Sequence, residues 1–256
     1  MVVTAPDDIE LVGRRVAWDG RRVHGKLGDA VRDEELRRLL TQAPDRSGCR
    51  ALPSHDLVLY VERVAPPTDL VIVGAGHIAQ PLSRVGKLLG FRVVVIDDRP
   101  DFARRERFPE ADRVLVADFD DPFADVPIGP RSHVVLVTRG HRYDYDCARA
   151  LARAGAEPAY LGMIGSRRRI RAAFEQLAGE GFDRDWLARI HAPIGLDIEA
   201  ETPAEIAIAI GAEMVLVRRG GTGAPLRDRK EVVRYVKSLA AAAVEGVSGS
   251  APGGPS

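Results

Sequence analysis

A glycine-rich turn, followed 23 positions later by an acid, is the part of the sequence best suited to bind a ligand. Gly74 and Gly76 follow the apolar run 70–73, and Ala79 completes a G-x-G-x-x-A pattern. The first glycine lets the chain turn sharply, and the second lets backbone N–H groups approach a pyrophosphate. Asp97 closes the next apolar run, where dinucleotide-binding folds place a carboxylate against a ribose 2′-hydroxyl. The pattern predicts a nucleotide-type ligand, and a turn that only packs a helix on a strand is the alternative.

The segments that follow the other predicted strands are also polar. Ligands of open α/β sheets bind outside the carboxyl ends of the strands, so these segments should meet at one edge. Arginine suits such a site because its planar guanidinium matches phosphates and carboxylates. The candidate cofactor-binding residues are Gly74, Ala75, Gly76, His77, Ile78, Asp97, Asp98, Arg99, Thr138, Arg139, Gly140, His141, Gly165, Ser166, Arg167, Arg168 and Asp197.

Three side chains at this edge are candidates for moving a proton. His77 lies inside the glycine turn, where an imidazole can bond a phosphate or exchange a proton near neutral pH. His141 and Asp144 follow the fourth predicted strand and could form an acid–base or orienting pair. The alternatives are that His77 caps its turn and that Asp144 caps the helix after it.

A second anion contact is predicted where a helix opens with Gly165 and Ser166 followed by three arginines. Bare N–H groups and nearby guanidinium groups both attract a phosphate there. Consecutive helical residues are rotated by about 100°, so one of Arg167 and Arg168 is expected to face the ligand. A solvated charge run is the alternative. Asp197 either contacts the ligand or ties its own loop.

The elements that position these residues alternate between strand and helix, the rhythm of a parallel α/β sheet. The predicted strands are 70–73, 92–96, 113–115, 133–137 and 160–163. The predicted helices are 143–154, a helix from Ser166 as N-cap to about 179, and 204–219 behind a capping box at Thr202. Near-continuous apolar runs fit strands that are covered on both faces.

The Pro66-Pro67 pair marks the predicted boundary between two domains. Residues 1–66 are predicted to form a small module with a hairpin, a helix at 33–43 and a strand at 56–64. Residues 67–244 form the ligand-binding domain, which ends in a helix from about Lys230. Residues 245–256 have almost no apolar content and are predicted to be a disordered tail.

Composition excludes several classes of protein. The 256 residues are 45% hydrophobic, and Lys plus Arg equals Asp plus Glu at 37 each, so no global field draws the chain to nucleic acid or to an anionic membrane. No run approaches the roughly 18 apolar residues of a membrane span. Cys49 and Cys147 lie outside any metal-ligand spacing. We expect a cytoplasmic protein that binds no nucleic acid, membrane or metal.

Six segments of the chain, taken in order, resemble one known family. They are VIVGAGHIA, VVVIDDRPDFARRERFPEAD, VTRGHRYD, YLGMIGSRRR, PIGLDI and TPAEIAIAIGAEMV, spread over roughly residues 69 to 219. In these segments the chain is similar to the xanthine dehydrogenase accessory proteins, the XdhC/CoxI family of molybdenum-cofactor maturation factors. Residues 1–66 lack the G-S-x-P-R and S-G-G-C-V-E segments common in the family, and Glu199 replaces the glycine that usually follows P-I-G-L-D-I.

The resemblance implies a Rossmann-like doubly wound parallel sheet beside a small N-terminal module. It also implies a chaperone-like protein that binds molybdenum cofactor of the molybdopterin type, assists its sulfuration and inserts it into a client molybdenum hydroxylase such as xanthine or carbon monoxide dehydrogenase. A cysteine desulfurase is the implied sulfur donor. A homodimer is expected because the short N-terminal module leaves strand edges to cover.

Two other functions use the same glycine turn. An NAD(P)-dependent oxidoreductase would use it with Asp97, but the sequence has no Tyr-x-x-x-Lys pair and little chain for a substrate domain. A nucleotide-sensing regulatory module is the third possibility.

Overall fold

A computed structural model of the protein describes residues 1–5, 8–42, 47–52, 56–62, 64 and 66–228. Contacts divide the chain into two units, Met1–Pro66 and Pro67–Ser256. The helix predicted from Lys230 and the tail predicted at 245–256 lie outside the described residues.

The N-terminal unit, Met1–Pro66, contains a small antiparallel sheet, a hairpin and one helix. Its elements are β1 (Val2–Thr4), β2 (Ala17–Trp18), β3 (Val23–His24), α1 (Ala30–Thr41), β4 (Gly48–Leu52) and β5 (Leu57–Val61). The sheet has the order β1-β5-β4, and β2 pairs with β3 in the predicted hairpin. The predicted start of α1 at residue 33 is wrong, because the Asp29 side chain accepts the N–H groups of Val31 and Arg32 and so caps the helix earlier.

The C-terminal unit, Pro67–Ser256, contains a parallel sheet with helices between its strands. Its elements are β6 (Asp69–Val73), α2 (Ala79–Leu88), β7 (Arg92–Asp97), β8 (Arg113–Val116), β9 (Ser132–Leu136), α3 (His141–Arg153), β10 (Tyr160–Met163), α4 (Arg167–Gly179), α5 (Arg184–Ala188), β11 (Ile190–His191) and α6 (Pro203–Arg219). The five predicted strands are confirmed. The sixth strand, β11, was missed because two residues are too short to show a pattern.

The parallel strands lie in the order β11-β10-β9-β6-β7-β8. When β6 to β11 are numbered 1 to 6 and the sheet is read from β8, the strand order is 3-2-1-4-5-6, that of a doubly wound sheet. Alternate residues of the same strands enter two separate cores. Val71 and Val134 pack with α3 and α4, whereas Ile72 and Val135 pack with α2 and α6. Helices therefore cover both faces, and the predicted fold class is confirmed.

Helix starts show which capping predictions were right. The capping box at Thr202 is confirmed, since its hydroxyl accepts the Glu205 N–H and the Glu205 carboxylate accepts the Thr202 N–H. Ser166 is the N-cap residue of α4, as predicted, although its side chain makes no capping bond. α3 begins at His141, two residues before its predicted start, because Gly140 is its extended N-cap residue.

The loop between β11 and α6 is anchored by the partly buried carboxylate of Glu213. Glu213 Oε2 accepts the Gly195 N–H at 2.9 Å and the Tyr160 hydroxyl at 2.5 Å. The Ile194 N–H bonds the Met163 carbonyl at 3.2 Å. These bonds join the loop to β10 and α6, so its backbone is fixed up to the residues that precede Asp197.

Glu199, in the same loop, has a left-handed backbone with φ 54°. This is the position where the resembled family has glycine, and left-handed backbone costs a non-glycine residue about 1–2 kcal/mol. Glu199→Gly is therefore expected to raise the free energy of unfolding by up to about 1 kcal/mol, since part of the gain is lost to the greater freedom of glycine in the unfolded chain. Glu201→Gly, at an exposed position with ordinary backbone, is the control and should be neutral or destabilising. Equal effects of the two substitutions in denaturant unfolding would contradict this reading.

No helix among the described residues is long and apolar enough to cross a membrane.

Candidate functional site

The glycine turn after β6 packs directly against the segment after β9. Gly74 has φ +104°, and its N–H bonds the Ile96 carbonyl at 2.7 Å. A Cβ at this position would lie 2.5 Å from the Val137 carbonyl oxygen and 2.7 Å from the Thr138 Cα. Both the backbone conformation and the close approach therefore require glycine. β6 and β9 are the neighbours at which the strand order reverses, so the turn sits at the topological switch point.

The rest of the turn presents backbone donors to solvent. Within the described part of the chain, the N–H groups of Gly76, His77 and Ile78 have no protein acceptor. A Cβ on Gly76 would meet nothing within 4 Å, so this side of the turn is open. α2 starts directly after these residues, and its N-terminal partial charge favours an anion there. The His77 side chain is exposed beside them.

Asp97, at the end of β7, is buried and fully engaged by protein donors. Its side chain is 1% exposed and accepts the Ala75 N–H at 2.7 Å. It also accepts the Arg99 N–H at 3.0 Å and the Arg99 guanidinium, with Nε at 2.8 Å and Nη2 at 3.0 Å. Burial by itself raises the pKa of Asp97, but the Arg99 guanidinium and the two backbone N–H groups together hold that pKa below its usual value. Asp97 therefore ties the glycine turn to Arg99.

Arg99 and Arg139 are two of the cations at this edge, and each stacks on an aromatic ring. The Arg99 guanidinium lies 3.6 Å from the centre of the Phe102 ring, and that of Arg139 lies 4.0 Å from the Tyr143 ring. Both oxygens of Asp98 accept hydrogen bonds from Arg139. The two rings were not among the predicted site residues, although both lie in the motifs that carry the family resemblance.

Asp144 holds Thr138 in place. Its Oδ1 accepts the Thr138 hydroxyl at 2.7 Å and the Thr138 N–H at 3.1 Å, and the residue is 2% exposed. Neither bond is a helix cap, because the N-cap residue of α3 is Gly140. His141 is the first residue of α3. Asp144 thus positions the segment after β9 through its two hydrogen bonds to Thr138.

Three segments are brought together by these contacts, namely 74–78, 97–99 and 138–140, and we call them the switch-point site. Residues 165–168 follow β10, the strand beside β9 on the side away from β6. Arg167 and Arg168 are exposed at the start of α4. Asp197 is exposed on the loop before α6. These last residues lie at the same carboxyl edge but bond none of the three segments within the described residues.

A doubly wound parallel sheet with a glycine turn at its switch point is the architecture of Rossmann domains. A family model described as the XdhC Rossmann domain matches residues 70–214, more than half of the chain. The chain belongs to this family, and the resemblance seen in the sequence is confirmed.

Two curated relatives and one solved structure place the chain among longer proteins. An uncharacterized protein of Escherichia coli is 34% identical over 156 residues, which are 60% of this chain and 28% of the relative. A protein of Bacillus subtilis, described as a probable subunit of xanthine dehydrogenase, is 28% identical over 63% of this chain and 46% of the relative. A crystal structure described as a xanthine dehydrogenase from Bacillus halodurans is 29% identical with a TM-score of 0.53, and it covers 66% of this chain and 47% of that one. The chain therefore spans about a quarter to a half of the length of the relatives it matches.

Proposed function

We propose that the chain binds molybdenum cofactor at the switch-point site, assists its sulfuration and passes it to a molybdenum hydroxylase. The observation that carries the proposal is the meeting of an open glycine turn with two arginines at the switch point of an XdhC-family domain. The relatives described as xanthine dehydrogenases support a link to that class of enzyme. The cofactor is cargo in this scheme, so binding and release take the place of turnover.

The residues present suit the phosphate end of such a pterin. The N–H groups at 76–78, which have no partner among the described residues, can bind phosphate oxygens, because the Gly76 side leaves room for close approach. Arg139 adds a bidentate donor whose ring stacking keeps its plane fixed. Asp97 is less suited to a ribose hydroxyl, since four protein donors already occupy its carboxylate. This favours a ligand recognised by its anionic groups over one recognised by a ribose.

Arg167 and Arg168 would bind a second anionic group of the ligand. Both are exposed at the first turn of α4, where the backbone N–H groups have no partner inside the helix. A dinucleotide form of the cofactor carries more than one phosphate and would contact both the glycine turn and the start of α4. NAD(P) is the alternative ligand, because it shares these phosphate groups.

The proton-moving roles of His77 and His141 stay predictions. His77 is exposed at the turn and would contact a bound phosphate, whereas Asp144 acts through Thr138 as a positioning residue. Arg99 is held by Asp97 and would not need to move to meet an anion.

The sulfur for the cofactor would come from a partner. Burial raises the pKa of the Cys147 thiol well above its usual range, and the residue is fully buried in the core on the α3 side. A thiol in that state is a poor carrier of sulfur. A cysteine desulfurase acting on the bound cofactor would supply the sulfur in place of Cys147. A cytoplasmic setting and a homodimer of this chain are further parts of the proposal.

The proposal is tested by transfer of cofactor to a client. The chain is loaded with molybdenum cofactor released from a purified molybdoenzyme and is then mixed with a cofactor-free xanthine dehydrogenase. We expect the loaded chain to restore more activity than free cofactor at the same concentration. The double variant Arg167→Gln/Arg168→Gln should transfer less, whereas Arg171→Gln, at an exposed position one turn further along α4, should transfer normally. Equal activation by free and loaded cofactor would overturn the proposal.

A further inference from the structure

The ion pair between Asp98 and Arg139 crosses the ligand edge of the sheet. Asp98 directly follows β7 and Arg139 follows β9, and β6 lies between these two strands. Neighbouring strands are about 4.8 Å apart, so the pair bridges a gap of about 10 Å beside the end of β6. The end of β6 is the glycine turn that presents its N–H groups to an anion.

The two neighbouring acids differ in how firmly they are held. Asp97 is 1% exposed and is fixed by backbone donors as well as by Arg99. Asp98 is 23% exposed, and within the described residues its hydrogen bonds come from Arg139 alone. The Arg99 Nε lies 3.8 Å from Asp98, too far for a hydrogen bond. Asp98 can therefore leave its partner without breaking a backbone contact.

Arg139 is held in place independently of Asp98. Its guanidinium lies 4.0 Å from the Tyr143 ring centre and 5.8 Å from that of Phe119. Its side chain is 32% exposed, so an arriving anion can reach it. Loss of Asp98 would leave a stacked, preoriented cation next to the glycine turn.

We propose that Asp98 is a specificity-determining residue that competes with the ligand's phosphate for Arg139. In the free protein the Asp98 carboxylate satisfies Arg139 across the edge, and a phosphate or pyrophosphate group takes its place on binding. An exposed ion pair contributes little net stability, so a phosphate can replace the Asp98 carboxylate on Arg139 and the carboxylate can return when the ligand leaves. Ligands without a phosphate would not displace the carboxylate, and the pair would exclude them. The inference rests on the proposed ligand site, although it concerns only how that site admits an anion.

The test uses Asp98→Asn, which keeps the shape of the side chain and removes its charge. Inorganic pyrophosphate, CMP and NAD⁺ are titrated into the full chain by calorimetry. We expect pyrophosphate to bind about tenfold more tightly to this variant than to the wild type, because the competing charge is gone. Asp101→Asn removes an exposed charge from the following loop and should change the affinity less than about twofold. CMP and NAD⁺ distinguish a monophosphate from a dinucleotide as the preferred source of the phosphate.

Arg139→Gln distinguishes an Asp98 that competes with the ligand for Arg139 from an Asp98 that supports Arg139. It should weaken pyrophosphate binding, and adding Asp98→Asn to it should give a smaller gain than in the wild-type background, since the contested group is absent and only charge repulsion is relieved. Asp98→Ser repeats the test with a smaller side chain if the asparagine variant folds poorly. Unchanged or weaker pyrophosphate binding by the Asp98 variants would show that Asp98 supports Arg139, and would overturn the inference. If the Asp98 effect is seen but the wild type binds no molybdenum cofactor, the proposed function alone fails.

Discussion

Gly74→Ala is expected to lower the free energy of unfolding by about 3 kcal/mol or more and to abolish binding at the switch-point site. The new Cβ would lie 2.5 Å from the Val137 carbonyl oxygen, and backbone atoms cannot move aside as a side chain can. The left-handed φ of +104° adds about 1–2 kcal/mol. Relief of the clash must separate β6 from β9, which would pull the glycine turn away from Arg139.

Gly76→Ala is the matched control for this prediction. It adds the same methyl group two residues away, where nothing lies within 4 Å. We expect it to change the stability by less than about 1 kcal/mol and still to weaken ligand binding, because the methyl group would occupy the approach to the N–H groups. Denaturant unfolding and pyrophosphate titration of both variants separate the two effects. A Gly74→Ala protein as stable as the wild type would show that the turn tolerates a side chain.

Asp97→Ala is expected to cost about 2–4 kcal/mol of stability, because it leaves the Ala75 N–H and the Arg99 guanidinium without their acceptor. Ligand affinity should fall as well, since the turn loses its tie to β7. Asp69→Ala, which breaks a more exposed pair with Arg92, is the control and should cost less than about 1 kcal/mol.

The loss of stability caused by Asp97→Ala is expected to depend on pH, and the sign of that dependence follows from the pKa of Asp97. The pKa of Asp97 is lowered in the folded protein, so the unfolded chain binds more protons as the solution becomes acidic. The stability that Asp97 contributes is present above its unfolded pKa and is lost as the pH falls through its folded pKa. The stability difference between the wild type and Asp97→Ala should therefore shrink below about pH 4. A difference that stays constant from about pH 7 to about pH 3 would show that folding does not lower the pKa of Asp97.

Much of the fold could be predicted because the parallel strands are buried on both faces. Runs such as 70–73 and 133–137 are buried throughout and almost entirely apolar, and that pattern separates them clearly from the helices around them. The position of Gly74 was also predictable, since its place after an apolar run requires a sharp turn. β11 was missed because it has only two residues and takes its place by pairing with β10.

The pairings within the site could not be predicted from the sequence. Asp98 and Arg139 are 41 residues apart and meet only because the strand order places β6 between β7 and β9. The partner of Asp97 is much closer in the sequence, since Arg99 follows two residues later and folds back onto it. In this chain the Asp97 carboxylate is engaged by the arginine two residues later, which points away from a ribose contact.

The most direct measurement of the central claim is the pterin content of the purified chain. The protein is isolated from cells that make molybdenum cofactor, any bound pterin is oxidised to a fluorescent product, and the amount is compared with that of protein. We expect wild-type protein to retain pterin and Gly76→Ala, which should fold normally, to retain much less. Protein that carries no pterin and instead binds NAD⁺ or NADP⁺ tightly would contradict the claim.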